Sequence, residues 1–345
     1  MTGSRSAGPA ERLKVGIIGG GAITQVAHLP VLKKMRSVDV QAICDTDLPK
    51  ARALADRFSI KDAFDDIEEL LRYEALDAVV ICSPNHLHES HIMAALSADL
   101  HVLVEKPLAM SATSVQRILR AVEKKQNRLV MVGMNHRYRP DVQIVRSFVQ
   151  SGELGTIESI RGSWHVFRPG RTHLGWRQRR DEAGGGAMLD LGLSILDLGL
   201  WLGGSSPPAR VSATLDAEGK ERTVEQSGSA FVICENGTSI FVDVTWRHLG
   251  EGERFGVGIR GSKGTAGINP LNVWKELHGV AMDVSPTGSV SRENAFTASY
   301  RAEWAHFQAA IGGQARLPSL QEHLTLHKVM DAIYRSAVER RDVTL

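Results

Sequence analysis

Three features predict an α/β protein of two domains. Short continuous apolar runs alternate with helix-patterned stretches over the first 135 residues, a glycine-rich turn follows the first of those runs, and period-two patterning marks much of the remainder. Buried strands alternating with helices describe a doubly wound parallel sheet covered on both faces. The period-two segments describe an antiparallel sheet in a second domain. At 345 residues the chain exceeds one ordinary core. We divide it into a small-residue tail (1–11), a first domain (12–135) and a second domain (136–345).

The elements follow in order. LKVGII (13–18) is the first strand, and 22–35 is compatible with a helix. VDVQAIC (38–44) is the next strand, with Asp47 as N-cap and Pro49 in the first turn of a helix ending near Phe58. The rhythm repeats through AVVICS (78–83), a helix at 86–98, HVLVE (101–105), a helix at 111–125 and LVMVGM (129–134). Beyond Asp141 a helix ends near Gly152, then IESIRGSWHVF precedes GGGAMLDLGLSILDLGLWLGG (184–204), a helix almost wholly apolar except for Asp190, Ser194 and Asp197. VSATLDAE, SAFVICENGTSIFVDVTW and RFGVGIRGSKGTAGIN alternate, and ENGT (235–238) predicts a hairpin turn. Amphipathic helices at 298–311 and 319–340 close the chain.

Composition narrows the function classes. A formal net charge of +2 argues against a general nucleic-acid or acidic-membrane binder. Cys44, Cys82 and Cys234 are odd in number, far apart and set in apolar runs, which suits buried thiols in a reducing compartment. The polar start MTGSRSAGPAER lacks the apolar stretch of a signal peptide. The apolar run 188–202 is interrupted by two aspartates and falls short of the ~20 residues a membrane span needs. We therefore expect a soluble, cytoplasmic protein.

VGIIGGGAIT places Gly19, Gly21 and Thr24 at the three positions of a GxGxxG fingerprint between strand and helix. The first glycine permits the tight turn, and the second lets backbone N–H groups approach a pyrophosphate on the helix N-terminus. Thr24 departs from the usual small third residue and is expected to crowd helix against strand. Asp45 ends the second strand, where a carboxylate can accept from a ribose 2′-OH and would repel a 2′-phosphate. NAD(H) is the expected cofactor, ahead of NADP(H).

HVLVEKPLAM sets Glu105, Lys106 and Pro107 at the carboxyl end of a strand, the edge where open parallel sheets bind ligands. Lys106 is placed there for proton transfer, with Pro107 fixing the backbone, through a cis bond if one forms. Along the apolar helix, offsets of four and then three put Asp190, Ser194 and Asp197 on one face, and buried carboxylates there require partners such as arginines.

SPNHLH, EKP and GGGAMLDLG followed by a second Asp resemble the Gfo/Idh/MocA family, over nearly the whole chain from Leu13 onward. The resemblance implies an N-terminal Rossmann domain with a doubly wound parallel sheet, plus a C-terminal α/β domain with a large, mostly antiparallel open sheet. It implies sugar, inositol or related polyol substrates and a homodimer or homotetramer formed through that sheet. By resemblance Lys106 is the catalytic lysine, Asp190 the active-site aspartate, and Ser194 stands where the family usually has a histidine. Ser83, Pro84, Asn85 and His88 resemble nicotinamide-side contacts, alongside Ala22 and Ile23 of the glycine loop and Glu105 next to the lysine.

A serine can relay a proton but is no base near neutral pH, so either Lys106 transfers the proton, a histidine arrives from elsewhere, or turnover is lost. His165 and His173 are the replacement candidates, and Asp197 is expected to be structural. RPGRTHLGWRQRR (168–180) holds five arginines, His173 and Trp176. A guanidinium pair including Arg177 suits a carboxylate or phosphate on the substrate, and Trp176 suits a sugar face. His86, His88 and His91 lack the companions of a tetrahedral site, so no metal is expected. The chain reads as an NAD-dependent dehydrogenase of a secondary alcohol, with Lys106, Asp190 and Ser194 catalytic and with Trp176 and Arg177 joining them in binding substrate. The alternatives are an NAD-dependent redox-elimination glycosidase and a catalytically silent NAD-sensing regulator.

Overall fold

The computed structural model describes residues 12–73, 76–168, 175–204, 206–216, 224–286 and 293–345. Strands β1 (Leu13–Ile18), β2 (Val38–Cys44), β3 (Asp62–Phe64), β4 (Ala78–Ile81), β5 (His101–Glu105) and β6 (Val130–Gly133) form a wholly parallel sheet ordered β3-β2-β1-β4-β5-β6. The order reverses between β1 and β4, and ligands of open α/β sheets bind beyond the carboxyl ends at that point. The helices between the strands are α1 (Leu29–Leu32), α2 (Leu48–Phe58), α3 (Ile67–Leu71), α4 (His88–Ser97) and α5 (Ala112–Lys124). Asp47 caps α2 by accepting from Lys50 N at 3.1 Å, and Ser111 caps α5 by accepting from Ser114 N at 3.2 Å, so both starts fall where the sequence puts them. The three-residue β3 was not legible, being too short to show periodicity.

After α6 (Pro140–Gln150), strands β7 (Ile157–His165), β8 (Pro208–Leu215), β9 (Ser227–Cys234), β10 (Ser239–Thr245), β11 (Arg254–Gly261), β12 (Gly264–Ile268), β13 (Asn272–Leu277), β14 (Val280–Asp283) and β15 (Val343–Thr344) make the second sheet. Its order is β14-β13-β12-β11-β7-β10-β9-β8-β15, antiparallel throughout except for the parallel pair β7 and β10. The expected hairpin joins β9 to β10, with Gly237 at φ +85° in the turn. The short helix α7 (Arg180–Ala183) leads through the glycines to a π-helical turn, Met188–Gly192, and then α8 (Leu193–Leu202). The stretch 180–202 is long and apolar enough to cross a membrane, but it lies mostly buried in the fold as a core helix. Helices α9 (Ala295–Ile311) and α10 (Leu320–Glu339) complete the chain.

One packing relation cuts across the division at residue 135. Tyr300, Trp304 and Phe307 of α9 share a core with Leu13, Val15 and Ile17 of β1. The late helix therefore covers the first sheet and carries side chains to its ligand-binding edge.

Candidate active site

The glycine loop has the form a dinucleotide requires. Gly19 sits at φ +100°, and a Cβ there would come within 2.7 Å of the Cys82 carbonyl, so only glycine fits. At Gly21 an added Cβ would meet open space, leaving the backbone free for a pyrophosphate to approach. Thr24 is accommodated rather than crowded: it is buried and its hydroxyl donates to Gly19 O at 2.5 Å. The following turn, Thr24–His28, is π-helical. Asp45 stands beside the loop, accepting from Gly20 N at 2.8 Å and pairing with Lys50 Nζ at 2.8 Å.

A cavity of about 350 Å³ opens from this loop across the carboxyl ends of β4 and β5. Ala22 and Ile23 line it on one side, Ser83, Asn85 and His88 on another, and Lys106, Asp190, Trp176 and Arg177 face it from beyond. The residues fit a nicotinamide dinucleotide: a glycine cradle, a carboxylate at the end of β2, and a cavity at the switch point. Pro84, between Ser83 and Asn85, precedes a short 3-10 turn. His88 is buried and both ring nitrogens face backbone carbonyls, Pro107 O at 2.7 Å and Ser83 O at 2.9 Å, so it ties two strand-end loops together. Asn85 Nδ2 donates to Ala183 O at 2.8 Å across the domain junction.

Lys106 follows β5, and the Lys106–Pro107 bond is cis. Its Nζ donates to Asp190 O at 2.7 Å and to Asp190 Oδ1 at 3.1 Å. These two groups, 84 positions apart, thus meet in one cavity, each side chain 20% exposed. The other carboxylate oxygen of Asp190 accepts from Trp246 Nε1 at 3.2 Å and pairs with Arg168 at 2.9 Å. Burial pushes the Asp190 carboxyl up, but Lys106, Arg168 and Arg177 outweigh it and hold it well below the usual carboxylate range. Asp190 is a fixed anion that orients donors rather than a proton acceptor.

The glycine run sets that position. A Cβ on Gly186 would lie 1.8 Å from Glu225 O, and the Gly186 and Met188 amides donate to Glu225 Oε1 at 2.8 and 3.0 Å. Tyr334 donates to the same oxygen at 2.8 Å. Glu225 therefore satisfies amides at the start of the helix, which have no partner within it.

Behind Lys106, buried Glu105 accepts from His28 Nε2 at 2.9 Å and from Tyr300 Oη at 3.2 Å. The Trp304 indole donates to His28 Nδ1 at 3.0 Å, which makes that nitrogen an acceptor and leaves Nε2–H for Glu105. The chain Trp304–His28–Glu105 links α9, the first helix and β5. Arg168 opens the basic stretch 168–180 read from the sequence, whereas Trp246, Tyr300 and Glu225 were not assigned as site residues. Each joins the site through tertiary packing, without a local motif.

The remaining candidates part company. Ser194 is buried in α8 and is not among the described residues lining the cavity. The preceding turn closes from Leu193 N to Met188 O, one residue wider than an α-turn, so an offset of four from Asp190 falls short of a full turn. Asp197 faces away from the cavity and forms a bidentate pair with Arg137 at 2.6 and 2.8 Å. His165 lies on the outer sheet face, bonded to Asp243 at 2.8 Å, and does not reach the cavity. His173 falls outside the described residues. His86 and His91 turn to Glu182 O and Ser83 Oγ respectively, and no group of three metal-ligating side chains occurs among the described residues.

A doubly wound dinucleotide domain whose strand-end lysine meets an aspartate from an open-sheet domain defines a two-domain oxidoreductase. Residues 13–134 match the oxidoreductase family with an NAD-binding Rossmann fold, and residues 142–267 match the GFO/IDH/MocA C-terminal domain. The chain belongs to the Gfo/Idh/MocA family of oxidoreductases. It is 25% identical to D-glucoside 3-dehydrogenase of Escherichia coli (strain K12) over 96% of this chain and 97% of that protein. It is 30% identical to an uncharacterised oxidoreductase of Rhizobium meliloti over 94% and 97% of the two chains. The fold matches that of levoglucosan dehydrogenase in complex with NADH and levoglucosan, with a TM-score of 0.86 and 24% identity over 97% of this chain and 99% of that one.

Proposed function

We propose that this protein transfers a hydride between a nicotinamide cofactor and a secondary alcohol of a sugar, inositol or related polyol. The observation that carries the proposal is the convergence of Lys106 Nζ and Asp190 in one cavity beside the glycine loop. Relatives named as dehydrogenases of D-glucosides, levoglucosan and inositol support the substrate class.

When bound, the nicotinamide supplies the hydride acceptor. Lys106 takes the hydroxyl proton at Nζ as a neutral amine, the ammonium having first released a proton to solvent, and Asp190 keeps that nitrogen aimed at the reacting oxygen. Arg168 and the Trp246 indole hold the second Asp190 oxygen, so the carboxylate does not swing. Trp176 offers an aromatic wall to the sugar. Ser194 is left out of the reacting set because it is buried away from the cavity.

NAD(H) is the preferred cofactor on this reading, because Asp45 would accept from a ribose 2′-OH and repel a 2′-phosphate. The three free cysteines are buried, which suits the cytoplasm. Phe231 and Phe241, exposed on the outer face of the second sheet, suit a homo-oligomer contact, checked by sedimentation.

The test is NADH formation across a panel of sugars and polyols, with NAD and NADP compared. Reduction of NAD by some member supports the proposal. Glycoside cleavage that requires NAD yet leaves no net NADH would replace it with redox elimination. Tight NAD binding with no turnover of any member would replace it with a regulatory role.

A further inference from the structure

The cavity carries more cationic charge than its own acids balance. Lys106, Arg168 and Arg177 line it against two carboxylates, Asp190 and Glu105. Glu105 is engaged by His28, Tyr300 and the Lys106 amide at its back. Asp190 is shared between Lys106 and Arg168. Arg177 remains: among the described residues no carboxylate lies within ion-pair distance of it.

Its surroundings explain how such a group is held. The guanidinium stacks on the Trp176 ring, 4.5 Å from the centroid, in a half-buried position. A planar cation held over a ring face can keep its in-plane N–H donors for another partner, and that fork suits a carboxylate bound through two parallel hydrogen bonds. Burial pulls Arg177 below the ordinary guanidinium range despite the opposing pull of Asp190, as expected of a cation lacking its own counter-ion. A half-buried cation without a partner is costly, and a ligand carboxylate would relieve that cost.

Resting on the dehydrogenase reading above, we propose that the substrate is an anionic sugar or polyol whose carboxylate is held by Arg177, so that the enzyme acts on sugar acids in preference to neutral sugars. A single guanidinium without a carboxylate partner among the described residues presents a planar fork that matches a planar carboxylate, which favours that group over a phosphate dianion. Arg177 is the specificity residue, and Lys106 and Asp190 act on the alcohol at the other end of the same molecule.

The experiment has two readouts. Calorimetry on the full chain with NADH compares D-gluconate and D-glucuronate with D-glucose, and adds D-glucose 6-phosphate as the phosphate arm. Steady-state NAD reduction is then measured with the same four compounds. A charge-assisted pair to a half-buried guanidinium is worth roughly tenfold to a hundredfold, so a sugar acid should bind and turn over better than glucose by about that factor. Arg177→Gln should collapse the acid-to-neutral ratio, and Arg177→Lys, which keeps the charge and loses the fork, should restore it in part. Equal binding of acid and neutral sugar, or a ratio untouched by Arg177→Gln, overturns the subsite. Preference for the phosphate overturns the carboxylate assignment. Tight acid binding that depends on Arg177, with no turnover of any compound, would leave the subsite standing and remove the dehydrogenase reading.

Discussion

Asp190 and Asp197 belong to one continuous helical segment and differ in almost everything else. Asp197 is 3% exposed at its side chain and locked onto Arg137, itself 5% exposed, with Arg137 reaching on to Glu322. Asp190 is 20% exposed, divides its oxygens between Lys106, Arg168 and Trp246, and faces a cavity. Both are anionic carboxylates with cationic partners. An open volume adjoins each pair, so on the proposed mechanism what separates them is whether the partner can exchange a proton. An arginine cannot release its proton in a protein, whereas a lysine can.

The largest effect expected from this contrast is on turnover. Lys106→Ala removes the proton-transfer group on the Asp190 side, and kcat should fall by about 10² to 10⁴ while NADH still binds. Unchanged turnover in that variant would take the reaction away from this pair. On the Asp197 side the expected loss is of stability. Asp197→Ala leaves the buried Arg137 charge without its bidentate partner, at a cost of about 3–5 kcal/mol, read from urea unfolding. A loss below about 1 kcal/mol would mean that Glu322 alone satisfies Arg137 and that the pair resembles a surface bridge.

Asp190→Asn sharpens the same contrast from the other direction. It keeps the shape and removes the charge that aims Nζ, so kcat should drop by about 10², the scale of a misplaced reacting group. The Asp190 carboxyl is held below its ordinary range in the folded chain. Its contribution to stability is therefore fully present above the unfolded pKa of about 4 and is lost as pH falls through the lowered value. Acid unfolding curves of the wild type and Asp190→Asn should converge at low pH and separate above it. Parallel curves would show that Asp190 titrates normally.

Much of the frame behind these sites was legible in sequence because it rests on local rules. The parallel strands are short apolar runs, Asp47 and Ser111 cap where an N-cap is needed, and Gly19 stands where backbone passes close to backbone. The EKP and GGG segments pointed to Lys106 and Asp190, and the structure brings the two within 3.1 Å. What was not legible depends on distant partners. Trp246 and Tyr300 are lone aromatics whose roles appear only when β10 and α9 reach the cleft. The parallel pairing of β7 with β10 is a matter of topology, which period-two patterning does not encode. The packing of α9 on the first sheet likewise depends on contacts between residues nearly 300 positions apart.

The π turn is the clearest case of a local departure that pattern reading hides. An ideal α-helix would place Ser194 one turn below Asp190, sharing its face. The wider turn at Met188–Gly192 shifts that phase, and Ser194 ends in the core while Asp190 faces the cavity. Ser194→Ala is accordingly the smallest effect expected here: kcat should change by less than about tenfold, beneath the 10² to 10⁴ of a positioned acid or base. Ser194→His should disturb packing before it improves chemistry, because the larger ring must enter a closed interior. A gain in turnover from that histidine, with the fold intact by near-UV circular dichroism, would mean that position 194 reaches the reacting oxygen after all.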